Sequence, residues 1–181
     1  MSDNKISKDK LTEILELHNL WLLSDKTEGR QADLREMDLS DMDLSGANLR
    51  NSRMTRVNFR GCNLIQANLS NSSLDASDFT ASIMSEADMN NSTMNNVRLV
   101  GVGMRYAKMH NVRLNGANLT GSILENADLS SSALEDTNMR GVSLQGANLS
   151  NVYLVGSNLI IIGQDMRGYL FYGYPDINEV L

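Results

Sequence analysis

The sequence contains few of the residues on which a catalytic or cross-linked protein depends. Its single cysteine, Cys62, excludes an internal disulfide and falls at a small inward position, where we expect a buried spacer and not a reactive thiol. Its two histidines, His18 and His110, have no partner at a spacing typical of a metal pair or of a nucleophile and base. A secretory signal and a long apolar span are also missing from the sequence. We therefore expect a cytoplasmic, non-enzymatic protein without a metal or other cofactor.

The dominant feature of the sequence is an apolar residue at every fifth position. These 26 centres run without interruption from Leu34 to Leu159, and all are Leu, Met or Phe. Two residues before each centre the sequence is most often Ala or Ser, which indicates a cramped inward position. A period of five fits neither an α-helix nor a β-strand, and the flanking Asn, Asp, Gly and Ser favour turns. The chain must therefore turn within each repeat and coil with its apolar residues inside.

A second regularity has a period of 20 residues, which is four repeats. Every fourth repeat has Ala at the small inward position, from Ala47 to Ala147. Oppositely charged residues also occur 20 apart: Asp33 with Arg53, Glu36 with Arg56, Asp78 with Arg98, Asp88 with Lys108, Lys108 with Asp128, and Arg105 with Glu125. An exposed pair contributes only about 0.2–1 kcal/mol, so we expect these charges chiefly to set the register between coils.

The repeat A(D/N)LXX, as in Ala47-Asn48-Leu49-Arg50-Asn51, resembles that of the pentapeptide-repeat family over residues 32–161. The resemblance implies an all-β solenoid, namely a right-handed quadrilateral β-helix of about 6.5 coils. We expect three segments: residues 1–31 with an N-terminal capping α-helix, residues 32–161 as the β-helix, and residues 162–181 as a C-terminal segment.

The N-terminal segment contains a predicted amphipathic helix that runs from an N-cap at Ser7 to about Leu23. Its apolar stripe consists of Leu11, Ile14, Leu15, His18, Trp21 and Leu22. We interpret this stripe as a lid on the first coil, because a terminal coil otherwise exposes its core and its unpaired strand edges. The alternative is a helix that docks a partner. A His-x-x-Trp-Leu helix followed by Gly-Arg-x-Ala-Asp-Leu is similar to the start of some bacterial and phage pentapeptide-repeat proteins.

The C-terminal segment is rich in aromatic residues: Tyr169, Phe171, Tyr172 and Tyr174. These residues alternate as in a short strand and would cover the last coil. They also suit a homodimer interface, because aromatic residues commonly anchor protein contacts, and the resemblance implies C-terminal dimerisation as in some family members. The two interpretations are compatible.

A possible contact surface consists of outward-facing apolar residues that all belong to the third repeat of a coil: Ile65, Ile83, Tyr106 and Ile123. We therefore predict a rigid protein-interaction module that binds an unidentified protein partner. We expect no direct binding of nucleic acid and no binding to a membrane.

The alternative function is implied by resemblance to the quinolone-resistance branch of the family. Members of that branch mimic duplex DNA and modulate or protect DNA gyrase or another type II topoisomerase. A DNA mimic needs an extended acidic surface, because the duplex carries about one charge per 1.7 Å of its axis. Here the first five 20-residue blocks, counted from residue 32, alternate in the sign of their net charge, and no loop interrupts the repeats. Both observations favour the interaction module.

Overall fold

The computed structural model describes residues 4–159 and 171–172 of the chain. In this part of the chain the regular elements are helix α1 (Lys8–Leu23) and strands β1 (Val152–Tyr153) and β2 (Phe171–Tyr172). In the repeats, the residue before nearly every centre forms an isolated parallel bridge with the residue 20 positions away, such as Asp33 with Arg53. One turn of the chain therefore takes four repeats, and residues 20 apart lie side by side in adjacent coils of a solenoid.

Main-chain hydrogen bonds between the coils hold this stack together. The N–H of Leu34 donates to the C=O of Arg53 at 2.8 Å, and the N–H of Asn58 donates to the C=O of Met37 at 3.0 Å. Equivalent bonds recur in the later coils. Because these bonds involve only backbone groups, they place little restriction on the outward side chains.

Each repeat turns a corner at a residue with left-handed backbone geometry. Every residue two after a centre, from Glu36 to Gly156, has a φ between 54° and 73°. The next amide closes the turn, as when the N–H of Met37 donates to the C=O of Leu34 at 3.1 Å. A single positive φ at the third of four residues is typical of a type II turn. Asn and Gly are frequent at this position because they adopt a positive φ at the least cost.

The centres form one continuous core along the axis of the solenoid. None is more than 4% exposed, and Phe59 and Phe79 of adjacent coils stack with their ring centroids 4.7 Å apart. Inward serines are tolerated where their hydroxyls are bonded, as Ser72 Oγ donates to the C=O of Leu49 at 2.9 Å. Burial of one Leu centre stabilises the fold by roughly 1.5–3 kcal/mol.

The segment before α1 adds a further layer to the second side of the first coil. The N–H of Asp38 donates to the C=O of Asn4 at 3.0 Å, and the N–H of Ile6 donates to the C=O of Asp38 at 3.1 Å. The helix then begins after Ser7, whose hydroxyl accepts the N–H of Lys10 at 3.2 Å. The sequence pattern had not indicated this short backbone pairing.

Helix α1 lies against the first coil through part of its predicted stripe. Leu11 and His18 are buried, whereas Ile14, Leu15, Trp21 and Leu22 are half-buried. Three leucines on other faces of the helix are exposed: Leu17, Leu20 and Leu23.

His18 bonds α1 to the backbone of the first coil. Its Nδ1 accepts the N–H of Ala32 at 3.1 Å, so the ring proton is on Nε2, which lies 3.0 Å from the C=O of Arg50 and 3.1 Å from Ser52 Oγ. Burial lowers the pKa of His18, because a charged ring would lose its hydration. The hydrogen bond to the Arg50 carbonyl opposes this shift, whereas the Arg50 charge adds to it. The neutral ring is therefore the form that fits the fold.

At the other end, β2 pairs in parallel with β1 on the first side of the solenoid. Val152 is opposite Phe171 and Tyr153 is opposite Tyr172, so the offset is 19 residues and not 20. The tail has therefore left the five-residue period by this point, but it still adds a backbone layer beyond the last coil.

Three of the six predicted charge pairs form ion pairs: Glu36 with Arg56 at 3.3 Å, Asp78 with Arg98 at 3.5 Å, and Arg105 with Glu125 at 2.9 Å. Among the other pairs, Asp33 bonds Arg35 of its own repeat. The remaining two pairs share Lys108, which is in register with Asp88 and Asp128 but forms no ion pair with them within the described residues. The two carboxylates instead accept the backbone N–H groups of Asn90 and Ser130.

We expect stability to depend on pH through His18. The pKa of His18 is lowered in the folded chain, so the unfolded chain binds the proton first as the pH falls. The free energy of unfolding therefore decreases from about pH 7 downward, by up to about 1.4 kcal/mol per pH unit. Urea unfolding between about pH 7.5 and pH 5.5 measures the loss, and His18→Gln removes it. Leu23→Gln, as the control, changes an exposed residue of the same helix without removing a titratable group, and keeps the wild-type slope. Equal slopes for His18→Gln and wild type would contradict this assignment.

A second prediction concerns two inward serines in equivalent positions of their repeats. Within the described residues, Ser122 Oγ is the one buried side-chain polar atom without a hydrogen-bond partner. Ser132 Oγ, in contrast, donates to the C=O of Met109 at 2.6 Å and accepts the N–H of Val112 at 2.9 Å. Ser122→Ala should raise the free energy of unfolding by about 1 kcal/mol, and Ser132→Ala should lower it by about 1–2 kcal/mol. Urea denaturation of both variants provides the check, and effects of the same sign would refute it.

Candidate functional site

Two of the four candidate residues of the aromatic tail, Tyr169 and Tyr174, lie outside the described residues. The backbone of the other two, Phe171 and Tyr172, forms β2, which pairs with β1. The cover over the last coil and the homodimer contact both stay predictions.

The four apolar residues of the third side lie in four successive coils of the solenoid. We define the third side by its centres: Leu44, Leu64, Met84, Met104, Leu124 and Leu144. Ile83 and Ile123 lie in one column of bridged residues, with Gly103 between them. Ile83 is 50% exposed, whereas Ile65 and Ile123 are half-buried. Tyr106 occupies the corner after this side and is 58% exposed.

Gly103 is part of this surface but was not among the residues predicted from sequence. The Gly-x-Gly at 101–103 lacks the context of a phosphate-binding loop, and its two glycines have different roles. Gly101 is a corner residue with a φ of 66°, whereas Gly103 directly precedes a centre. A Cβ on Gly103 would meet no atom within 4 Å. The available signal was its position, because no other glycine in the repeats directly precedes a centre.

Charged and polar residues lie around Tyr106 at the next corner. A shallow depression there is lined by Gln66, Asn68, Glu86, Asp88, Tyr106 and Lys108. Gln66 Nε2 donates to Glu86 Oε2 at 2.9 Å. In the following coils, the hydrogen bond from Arg105 Nε to Glu125 Oε2 at 2.9 Å lowers the pKa of Glu125. The third side therefore combines apolar residues with a border of ionised groups.

Cys62 has the environment of a structural residue. It is 1% exposed, and its Sγ donates to the C=O of Leu39 at 3.0 Å. Burial raises the pKa of the Cys62 thiol to about 11, so the thiolate that would react is scarce at neutral pH.

His110 has a hydrogen-bond partner 20 residues further along the chain, where the register between coils places it. Its Nδ1 lies 2.9 Å from Ser130 Oγ in the next coil, so a serine does stand at hydrogen-bond distance from a histidine. His110 is exposed, and within the described residues no carboxylate is bonded to its other ring nitrogen. The pair therefore lacks the orienting third group of a nucleophilic triad.

Metal-binding clusters and membrane-spanning helices are both missing from the described part of the chain. No group of three or more His, Cys, Asp and Glu side chains there is arranged to hold a metal ion. No helix in residues 4–159 combines the length and the apolarity needed to cross a bilayer.

Comparison with known proteins gives matches to repeat proteins of one kind. The family model described as pentapeptide repeats matches in eight copies, over residues 30–61, 58–96, 82–121 and 122–159. A comparison with curated proteins finds no match.

Two solved structures illustrate the similarity. HetL, a pentapeptide repeat protein involved in heterocyst differentiation regulation from the cyanobacterium Nostoc sp. strain PCC 7120, is 20% identical, with 84% of this chain and 81% of HetL covered and a TM-score of 0.46. A trypsin-treated form of QnrB1, a plasmid-mediated fluoroquinolone resistance protein, is 19% identical, with 81% of this chain and 85% of QnrB1 covered and a TM-score of 0.39. Because the family model matches well over half of the chain, the protein belongs to the pentapeptide-repeat family.

Proposed function

We propose that this chain is a cytoplasmic, non-enzymatic interaction module. In this proposal residues 32–161 form a rigid right-handed, four-sided rod of about 6.5 coils, and residues 1–31 and 162–181 cover its ends. The rod binds another protein through the third side. The observation that carries the proposal is the exposure of Ile83 and Tyr106, in adjacent coils, beside outward residues that are mainly polar or charged.

The backbone geometry of Tyr106 supports a functional role for its side chain. Its φ is 58°, in the left-handed region where a bulky residue is uncommon and costs roughly 1 kcal/mol or more. Other coils place Gln66, Glu86 and Asn126 at the same corner. Tyr106 is also 58% exposed, so packing in this chain does not offset the whole cost. Tyrosine is among the residues that contribute most at protein interfaces, which fits a contact made by its exposed ring.

The charge distribution argues against a DNA mimic that occupies a topoisomerase. Acidic side chains are interrupted by basic ones in the adjacent coil, as with Glu36 and Arg56 or with Arg105 and Glu125. Duplex DNA presents a continuous line of negative charge instead. An interaction surface of mixed charge and apolar residues fits these observations better.

The proposal predicts that binding and stability respond in opposite directions to a change at Tyr106. Tyr106→Asn should keep or raise the free energy of unfolding, by up to about 1 kcal/mol, because Asn is less strained at a positive φ. The same change, combined with Ile83→Asp, should reduce partner capture at least tenfold, as expected for loss of about 1.4 kcal/mol or more at a central contact.

The measurement is quantitative affinity capture from a lysate of the source organism, followed by mass spectrometry. Val155→Asp is the matched control, because Val155 is 49% exposed but lies on the first side. A protein that is retained by wild type and by Val155→Asp, and lost with the third-side variants, would support the proposal. If every captured protein bound all the variants equally, the third side would not be the contact surface. Recovery of gyrase or topoisomerase subunits would favour the DNA-mimic function.

A further inference from the structure

Gly103 is an exception among the glycines of the repeats. The other eight are corner residues with a positive φ, where glycine relieves backbone strain: Gly46, Gly61, Gly101, Gly116, Gly121, Gly141, Gly146 and Gly156. Gly103 lies instead in the bridged column between Ile83 and Ile123, and its φ is outside the left-handed region. A Cβ there would meet no atom within 4 Å, so tight packing does not require glycine either. Glycine within a strand weakens it and often marks the close approach of another molecule.

The absence of a side chain at Gly103 leaves a gap in the third side, which we call the notch. Its floor is the backbone of Gly103, and its walls are Ile83 in the preceding coil and Ile123 in the following coil. The corner that precedes the notch carries only small residues, namely Ala81, Gly101 and Gly121. A side chain from outside can therefore reach the floor of the notch without obstruction from that corner.

Charges near the notch alternate from one coil to the next. The preceding coil carries Glu86 and Asp88, the coil of Gly103 carries Arg105 and Lys108, and the following coil carries Glu125 and Asp128. Arg105 and Glu125 already pair with each other at 2.9 Å, so Glu86, at the corner, and Asp88 and Asp128, on the side after it, are the carboxylates left for a basic partner. A second copy of this chain, packed face to face about a two-fold axis through Gly103, would place the two acidic coils opposite each other. The repulsion between like charges disfavours such a homodimer. A different partner, with basic groups one coil away on either side of the notch, would be attracted by the acidic coils.

The spacing of the coils favours a helix as the matching element. Adjacent coils are about 4.8 Å apart, and one turn of an α-helix rises about 5.4 Å, so a helix laid along the axis presents one side chain to each of three successive coils. Side chains on one face of an extended strand are about 6.6–6.8 Å apart and lose this register within two coils.

From the notch, the charges and the spacing together, we propose that the third side binds an amphipathic helix of a partner protein. One aliphatic side chain of that helix enters the notch between Ile83 and Ile123, and Lys or Arg one turn away on either side meets the acidic coils. This inference rests on the proposed function and specifies the chemistry of the partner.

The first variant for the test fills the notch. Gly103→Ile adds a side chain where there is open space, and we expect a melting temperature at or above that of wild type. Ala133→Ile is the matched control, since Ala133 holds the same position of its repeat on the first side. Glu86→Lys is a second variant, which tests the charge without altering the notch.

The probe is a displayed library of helical peptides with three randomised positions, each one helical turn apart. The library is selected for binding to the full-length protein. We expect enriched helices with an aliphatic residue in the middle and Lys or Arg at the flanking positions. Their affinity should fall at least tenfold for Gly103→Ile and for Glu86→Lys, and should be unchanged for Ala133→Ile. A parallel library of unstructured peptides should yield weaker binders.

The inference is overturned if no helix is enriched, if the flanking positions are acidic or neutral, if Gly103→Ile binds as well as wild type, or if extended peptides bind more tightly. Affinity capture separates this failure from that of the proposed function. If Ile83→Asp abolishes capture of the natural partner and Gly103→Ile does not, the third side is the contact surface but the notch is not used. If neither variant affects capture, both proposals fail.

Discussion

The structure depends on a corner that the backbone must turn within every five residues. At each corner one residue adopts a positive φ, and the turn directs the residues on both sides of it inward again. Because the corners recur at a constant interval, the N–H and C=O groups of adjacent coils come into register and bond to each other. The core of centres, the small residues beside them and the straight columns of outward side chains all follow from this repeated turn.

This arrangement separates stability from surface chemistry. Backbone hydrogen bonds and buried centres hold the coils together, so an outward position accepts almost any residue that avoids repulsion along its column. Most outward positions carry Asn, Ser, Asp or Arg. Departures from that pattern are informative because the fold does not require them. Ile83, Gly103 and Tyr106 are three such departures, and they lie on one side of the solenoid within two coils of each other.

Backbone pairing extends one side of the solenoid beyond the repeats at each end. At the N-terminus, Asn4 and Ile6 extend the second side by backbone hydrogen bonds, and the neutral ring of His18 bonds the helix to the first coil. At the C-terminus, β2 extends the first side. Both additions pair main-chain groups that would otherwise form an unprotected sheet edge, the feature that lets strands of different molecules associate.

The sequence by itself determined the five-residue repeat, the register of 20 residues and the inward positions. Leu34 through Leu159 are buried as the period predicts, and Asp33 lies beside Arg53 in the next coil. A strict period carries this information because each repeat has the same local geometry, so no long-range contact has to be known in advance. The third-side residues Ile65, Ile83, Tyr106 and Ile123 were identified by the same arithmetic.

Only the tertiary structure decided which of several nearby partners a side chain bonds. Asp33 bonds Arg35 and not Arg53, because the neighbour in its own repeat is within reach of both carboxylate oxygens. Asn4 and Ile6 pair with Asp38 through backbone contacts that no local pattern encodes. The notch at Gly103 likewise became evident only from the space around it, since one letter in a sequence does not reveal whether a missing side chain leaves a gap or allows close packing.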